Sequence, residues 1–530
     1  MLQTVRARRG MVTAPHHLAA RAGLRVLEDG GNAIEAMVAA AATIAVVYPH
    51  MNGLGGDNFW LLHAPGRDVV GIDACGGAAG LADPAFYADQ GFQQIPSRGA
   101  LAALTVAGAV SGWRTALDVS REQWGGKLPL ARLLEDARFY AEDGIGVTRT
   151  QAENTRLKLS ELADAPGFAE TFLADGKPLA EGDLFRQPRL AATLGRLADA
   201  GLDDFYRGDL ARAIAADHER AGTPVRLADL ERHQALAVTP LSFEVAGHQV
   251  FNMPPPTQGL ASLILLGVYD RLGIAEAEGF DFAHGLIEAT KRAFRVRDAQ
   301  VTDPAYMDVD PASFLTRPAL DAMAADVDMG RALPWPEPAK PGDTVWLGAI
   351  DGEGRAVSFI QSIYWEFGSG TVLEETGLVW QNRGTSFSLA AGHHNRLAAH
   401  RRPFHTIQPA LARLSDGRVM SYGTMGGEGQ PQTQAMVFAR HVLHGQGLQQ
   451  AVTAPRWLLG RTWGAETAGL RIENRLDAAV VERLRAAGHD LEVIGDYDEV
   501  MGHAGALVYH ADGLIEGAAD PRGDGQAAGF

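Results

Sequence analysis

Four prolines, Pro334, Pro336, Pro338 and Pro341, fall within eight residues of one another. Each removes a backbone donor and fixes φ, so neither a helix nor a central strand runs through them. The segment reads as an extended, exposed connector and is the best candidate boundary in the chain. The pattern changes directly after it. Thr344 to Ile350 (TVWLGAI) is β-branched and apolar, Asp351-Gly352-Glu353-Gly354 is a turn signal, and Arg355 to Ile363 (RAVSFIQSI) reads as a returning strand. A two-residue turn at Gly352-Glu353 would set Asp351 against Gly354 and Thr344 against Gln361. Ser362 would then lie within one residue of Thr344, with a bulge able to shift the pairing by one.

Elsewhere the periodicity predicts helices over His17 to Glu28 and, capped by Asn32, on to about Val47. The alanine-rich part of the second implies a buried, closely packed helix. Strands are predicted at Phe59 to Leu62 and Val69 to Ile72. Residues 100 to 330 read as mainly helical, with Leu128 to Glu142, Leu190 to Ala200 and Ala261 to Leu272 as examples. Beyond the connector come strands at Arg418 to Tyr422 and Ala506 to Gly513, and helices near Thr433 to Leu443 and Ala478 to Ala487. Helices and short strands in this order predict mixed α/β or α+β layering.

With 530 residues, 46% of them hydrophobic, the chain buries a large core. Its formal net charge of -17 repels phosphate backbones and anionic lipid, which argues against nucleic-acid and membrane-surface partners. The single cysteine, Cys75, excludes an intrachain disulfide. The basic N-terminus is not followed by the apolar core of a signal peptide, and the apolar stretch from Ala33 to Val47 is too short to span a bilayer and is broken by Glu35. A cytoplasmic protein is expected. His16-His17 and His393-His394 lack metal-ligand spacing, and no phosphate-cradling glycine motif occurs, so neither metal nor cofactor is expected.

Thr344 carries the chemical argument. Inside a chain its hydroxyl has no built-in base. Once the Asp343–Thr344 bond is cut, its new α-amine, with a pKa of about 7.7 to 8.0 in free form, takes the hydroxyl proton directly or through one water. The same hydroxyl could make the cut by attacking the Asp343 carbonyl. Acyl chemistry also needs oxyanion donors, and Thr424-Met425-Gly426-Gly427-Glu428-Gly429 offers adjacent glycine N–H groups between a strand and a helix. Taken singly, a threonine opening a strand is ordinarily filler and a glycine pair ordinarily a plain turn. Likewise a lone Cys75 is more often a small buried hydrophobe than a thiol nucleophile.

The motifs together form a set. Gly30-Gly31-Asn32-Ala33-Ile34-Glu35-Ala36, Gly53-Leu54-Gly55-Gly56-Asp57-Asn58-Phe59 and Val106 to Trp113 stand in the first half. Pro254 to Gly259, Arg402-Pro403 with Pro409, Gly426-Gly427, Ala454-Pro455-Arg456 and Asp520-Pro521-Arg522 follow. In this order they resemble the γ-glutamyltransferase family of N-terminal-nucleophile hydrolases over nearly the whole chain. The resemblance implies an α+β fold, a four-layer αββα sandwich, and self-cleavage into a large subunit, 1–343, and a small one, 344–530. It implies Thr344 as nucleophile, Ser362 as its supporting hydroxyl, and an oxyanion hole from Gly426 and Gly427.

The departures from the family pattern bear on substrate. The arginine that holds a glutamyl α-carboxylate is replaced by Cys75, with Gly76 beside it. The serine pair after Arg-Pro is replaced by His405 and Thr406, and the asparagine and aspartate that hold the α-ammonium are replaced by Tyr364 and Ser386. An unpaired buried ion costs several kcal/mol, so glutamyl recognition should be lost. Arg383, His405, Thr406, Tyr364, Trp365 and Glu366 are the candidate pocket residues, and an arginine beside a histidine suits a small carboxylate. Ser362 to Gly370 resembles the cytoplasmic branch that includes oxamate amidohydrolases. The expected reaction is hydrolysis of a short amide such as oxamate. Action on γ-glutamyl amides, a glutaryl-type acylase, and an unprocessed binding protein are the alternatives. The expected partners are the small amide and the two subunits of one precursor, with a higher oligomer left open.

Overall fold

A computed structural model describes residues 3–335, 343–460 and 469–530. Two seven-stranded antiparallel sheets dominate it. The first runs in the order Gln526–Gly529, Gly10–Ala14, Asp343–Asp351, Ala356–Tyr364, Asp57–His63, Val70–Ala74 and Leu236–Val238. The second runs Val5–Ala7, Ile515–Ala519, Ala504–Tyr509, Val419–Thr424, Ala410–Arg413, His248–Asn252 and Leu241–Val245. Their facing sides share one apolar layer that includes Met11, Phe59, Trp346, Ile360, Leu411 and Leu507. Helices His17–Glu28, Ala33–Val47 and Ala109–Gln123 cover the outer side of the first sheet. Gly259–Arg271, Phe280–Gln300 and Gly429–Phe438 cover the second. The result is the four-layer αββα sandwich of the N-terminal-nucleophile hydrolases, an α+β architecture. Among the described residues no helix is long and apolar enough to cross a membrane.

Local signals explain several elements. Asn32 accepts hydrogen bonds from the Ile34 and Glu35 amides while Glu35 accepts from the Asn32 amide, a complete capping box. The helix it starts is buried along its whole length, as expected of one that is apolar all round. The region Leu128 to Glu142 departs from the single helix expected. Glu35 Oε1 holds the Lys127 and Leu128 amides, so helix begins only at Leu130, and a break at Leu134 divides it into Leu130–Leu133 and Glu135–Asp143.

The hairpin after the connector forms, with a different turn. Asp351 pairs with Arg355 across a three-residue loop in which Gly354 is left-handed at φ 74°. The Asp351 carboxylate accepts from the Glu353 and Arg355 amides, which stabilises the longer loop. The register is therefore Val345 to Gln361, and a bulge between Asp343 and Val345 sets Asp343 against Tyr364. Thr344 sits on that bulge. Most of the proline-rich connector, residues 336–342, lies outside the described residues.

Candidate active site

Thr344 is fully buried at the start of a central strand. Its hydroxyl donates to Ser362 Oγ at 3.3 Å and accepts from Gln430 Nε2 at 3.4 Å. Ser362 Oγ also accepts from the Tyr364 amide at 2.8 Å. Ser362 in turn pairs across the sheet with Asp57. The close approach of these strands explains a glycine of the Gly53-to-Phe59 motif: a Cβ on Gly56 would stand 2.1 Å from the Ser362 carbonyl oxygen.

Gln430 belongs to the first turn of helix Gly429–Phe438, which begins four residues before the expected Thr433. Its amide bonds back to the Gly427 carbonyl at 3.3 Å. Gly426 and Gly427 have φ of 114° and 51°, values that L residues rarely adopt. Gln258 ties this turn to the next segment, donating to the Gly427 carbonyl at 2.8 Å and to the Thr406 carbonyl at 2.6 Å. Arg297 holds Gln258 Oε1 at 3.1 Å and Glu428 at 2.7 Å.

A second cluster lies beside the nucleophile. Arg383 is buried, stacks 3.7 Å over the Tyr364 ring and donates to Thr406 Oγ1 at 3.2 Å. Its Nε and Nη2 have no hydrogen-bond partner. Burial lowers its pKa to about 10, an effect countered by Tyr364 and Asp57. Tyr364 has φ 82°, a strained value for a bulky residue. His405 is fully buried, and neither ring nitrogen forms a hydrogen bond. Burial, then the charges of Arg383 and Arg402, hold its pKa well below the usual imidazole range. Its Nε2 lies 3.4 Å from Asp57 Oδ2. Asp57 Oδ1 accepts from the Gly108 and Gly76 amides at 2.9 and 3.1 Å. Burial raises the Asp57 carboxyl to about 7 against the opposing pull of those amides and Arg383.

Arg383, His405, Thr406 and Tyr364 thus come together as one cluster. Trp365 and Glu366 meet a different partner, Arg98. Its guanidinium lies 5.3 Å over the Trp365 ring, donates to the Glu366 carbonyl at 2.6 Å and stands 3.8 Å from the Glu366 carboxylate. Sequence reasoning missed Gln430, Gln258 and the role of Asp57. For Asp57 a signal was present, since an acidic residue between a glycine turn and a buried strand requires partners. Cys75 is buried, and burial followed by the nearby Asp73 charge drives its thiol pKa far upward, which disfavours a thiolate nucleophile. Among the described residues His284, Glu288 and His489 bring possible metal-ligand atoms within 4.8 Å of one another. Glu288 is already bound by Lys291 and Arg292, and His284 by His489.

The model of the gamma-glutamyltranspeptidase family matches residues 19–530. The chain belongs to the gamma-glutamyltranspeptidase family. This family member is 55% identical over 521 residues to the oxamate amidohydrolase proenzyme of Klebsiella pneumoniae, covering 98% of each chain. It is 40% identical over 535 residues to the glutathione hydrolase-like YwrD proenzyme of Bacillus subtilis, covering all of both. The crystal structure of cephalosporin acylase from Bacillus halodurans superposes with a TM-score of 0.91 at 32% identity, covering 100% of this chain and 97% of that one. As a gamma-glutamyltranspeptidase-family protein the chain is a self-processing amidohydrolase of the N-terminal-nucleophile type, acting on a C–N bond.

Proposed function

We propose that this protein cuts itself between Asp343 and Thr344 and then hydrolyses oxamate to oxalate and ammonia. Thr344 Oγ1 attacks the Asp343 carbonyl, the peptide C–N bond breaks, and water hydrolyses the resulting ester. The products are fragments of 343 and 187 residues, which remain together as a heterodimer. The freed Thr344 amine then takes the hydroxyl proton as Oγ1 attacks the substrate amide. Gly426 and Gly427 donate to the oxyanion, and Ser362 orients the nucleophile. The amide nitrogen leaves with the proton as ammonia, and water releases oxalate from the threonyl ester.

The observation that carries the substrate reading is the pair of unbonded nitrogens on buried Arg383, which stacks on Tyr364, whose amide bonds Ser362, the partner of Thr344. A buried guanidinium lacking acceptors is completed by a carboxylate. His405, Thr406 and Tyr364 would line the same carboxylate site, while Trp365 and Glu366 stand outside it on Arg98. Oxamate places its carboxylate directly beside the scissile carbonyl, which suits a guanidinium linked to the nucleophile through Tyr364 and Ser362. The relative named for oxamate hydrolysis supports the reading. The reaction calls for no metal or cofactor, and its site of action is read as cytoplasmic.

The 40% identity to a glutathione hydrolase-like protein supports a second reading, hydrolysis of γ-glutamyl amides. Cys75 in place of the carboxylate-binding arginine weighs against it. Matured enzyme tested with oxamate, glutamine, γ-glutamyl-p-nitroanilide and glutaryl amides separates the readings. Ammonia from oxamate alone is expected. Efficient p-nitroaniline release would overturn the oxamate assignment. An N-terminus of the shorter fragment other than Thr344 would overturn the mechanism.

A further inference from the structure

Asp57 is not used by that mechanism, yet its carboxylate stands against the His405–Arg383 cluster, with Oδ2 3.4 Å from His405 Nε2. Two main-chain amides fix its Oδ1, and its Oδ2 points at His405 Nε2 without forming a hydrogen bond. The surroundings offer little freedom of charge. Arg383 and Tyr364 lie on the hairpin side, and Cys75 on the neighbouring strand end. Arg402 is paired with Asp73 and Asp303 on the side of His405. Gln381 and Tyr206 complete the ring around Asp57. Arg402 is more than offset by its two carboxylates, Glu428 on the Tyr364 side is paired with Arg297, and Tyr206 and Cys75 are held in their uncharged forms by burial. The charges left to balance are those of Arg383, Asp57 and any anion that enters.

Ionised Asp57 balances Arg383 while the pocket is empty. An entering carboxylate adds a second negative charge to one buried cation, and an excess charge in such a site is strongly disfavoured. The site restores balance by taking a proton from solvent. We propose that Asp57 makes anion binding proton-linked, one proton entering the Asp57–His405 pair for each carboxylate bound at Arg383. The proton resides on Asp57 Oδ2 or His405 Nε2, 3.4 Å apart. Asp57 acts here as a positioning residue. It sets the charge of the pocket and so ties the affinity for a monoanion to pH. The proposal rests on Arg383 being the carboxylate site, as argued above.

The test is the pH dependence of KM and kcat for oxamate with the matured wild-type enzyme and with Asp57→Asn. Asparagine keeps an acceptor for the Gly76 and Gly108 amides, and self-cleavage and melting temperature check its fold. With an Asp57 carboxyl near 7, wild-type KM should rise about tenfold per pH unit above that value. In Asp57→Asn KM should be flat from pH 6 to 8.5, because Arg383 and the anion then cancel. The α-amine of Thr344 moves kcat in the opposite direction, so the two effects separate. As a measurement needing no variant, calorimetric titration of wild type with lactate in two buffers of different ionisation enthalpy should show about three-quarters of a proton taken up at pH 7.5, the fraction of a carboxyl near 7 that is ionised there. Oxamate turnover with a flat wild-type KM and no proton uptake overturns the linkage and leaves the substrate assignment standing. A self-cleaved enzyme that releases no ammonia from oxamate overturns that assignment instead.

Discussion

The two ends of the site are built in opposite ways. At the nucleophile end the groups are neutral and bonded to one another: Thr344 to Ser362 and Gln430, and Ser362 to the Tyr364 amide. At the recognition end, Arg383 Nε and Nη2, both His405 nitrogens and Asp57 Oδ2 are buried without hydrogen bonds. Each unsatisfied buried polar atom costs about 1–3 kcal/mol. A fold retains several together where a ligand will satisfy them. The nucleophile end carries no such cost, because its active base is created only when the chain is cut. One end is completed by breaking a bond, the other by binding an anion.

That contrast orders the tests. The largest effect belongs to Thr344→Ala, which removes the attacking oxygen from both reactions. The chain should stay as one 530-residue band on denaturing gels, and ammonia release should fall by about four orders of magnitude or more. Next comes Arg383→Met, which should leave self-cleavage intact while lowering kcat/KM for oxamate by about 10² to 10³, the effect of leaving a buried anion without its partner. If Arg383→Met also blocked cleavage, the two ends would not be separable.

Ser362→Ala bears on the nucleophile end more gently. It removes the acceptor of the Thr344 hydroxyl and leaves the Tyr364 amide without its Ser362 contact. Self-cleavage followed on gels should slow about 10- to 100-fold, in line with one well-placed hydrogen bond of about 1.5–3 kcal/mol. An unchanged rate would assign the orientation of Thr344 to Gln430 instead.

The same contrast governs what was legible from residues alone. Helix His17–Glu28 was readable to the residue, and helix Ala33–Val47 from its cap at Asn32 to about its end, because a capping box and a glycine stop act locally. The strand that carries Thr344 was readable for the same reason. The three strands Leu236–Val238, Leu241–Val245 and His248–Asn252 were not, in a stretch read as mainly helical. They are short and partly exposed, and exist by pairing with distant segments such as Ala410–Arg413. Thr344 and Ser362 could be related through one hairpin. Gln430 and Asp57 reach the site through long-range packing that spacing does not encode. The one-residue error in the hairpin had a local cause that was visible but unweighted, the Asp351 side chain capping a loop that ends in left-handed Gly354.

The smallest expected effect sharpens the boundary of the recognition end. Glu366 was expected in the pocket with Arg383, but its nearest cation is Arg98. Arg98 is also held by Glu161 at 3.1 Å and by the carbonyls of Glu366 and Gly368 at 2.6 Å each. Glu366→Gln therefore keeps a polar side chain in place and removes one charge from a cation that retains three other acceptors. Its kcat/KM for oxamate should stay within about threefold of wild type, with a stability loss of about 1 kcal/mol read from denaturant unfolding. A loss as large as that of Arg383→Met would mean that the carboxylate of Glu366 acts on the bound substrate. The pocket would then extend from Arg383 to Arg98, and the charge balance assigned to Asp57 would have to include a second buried acid.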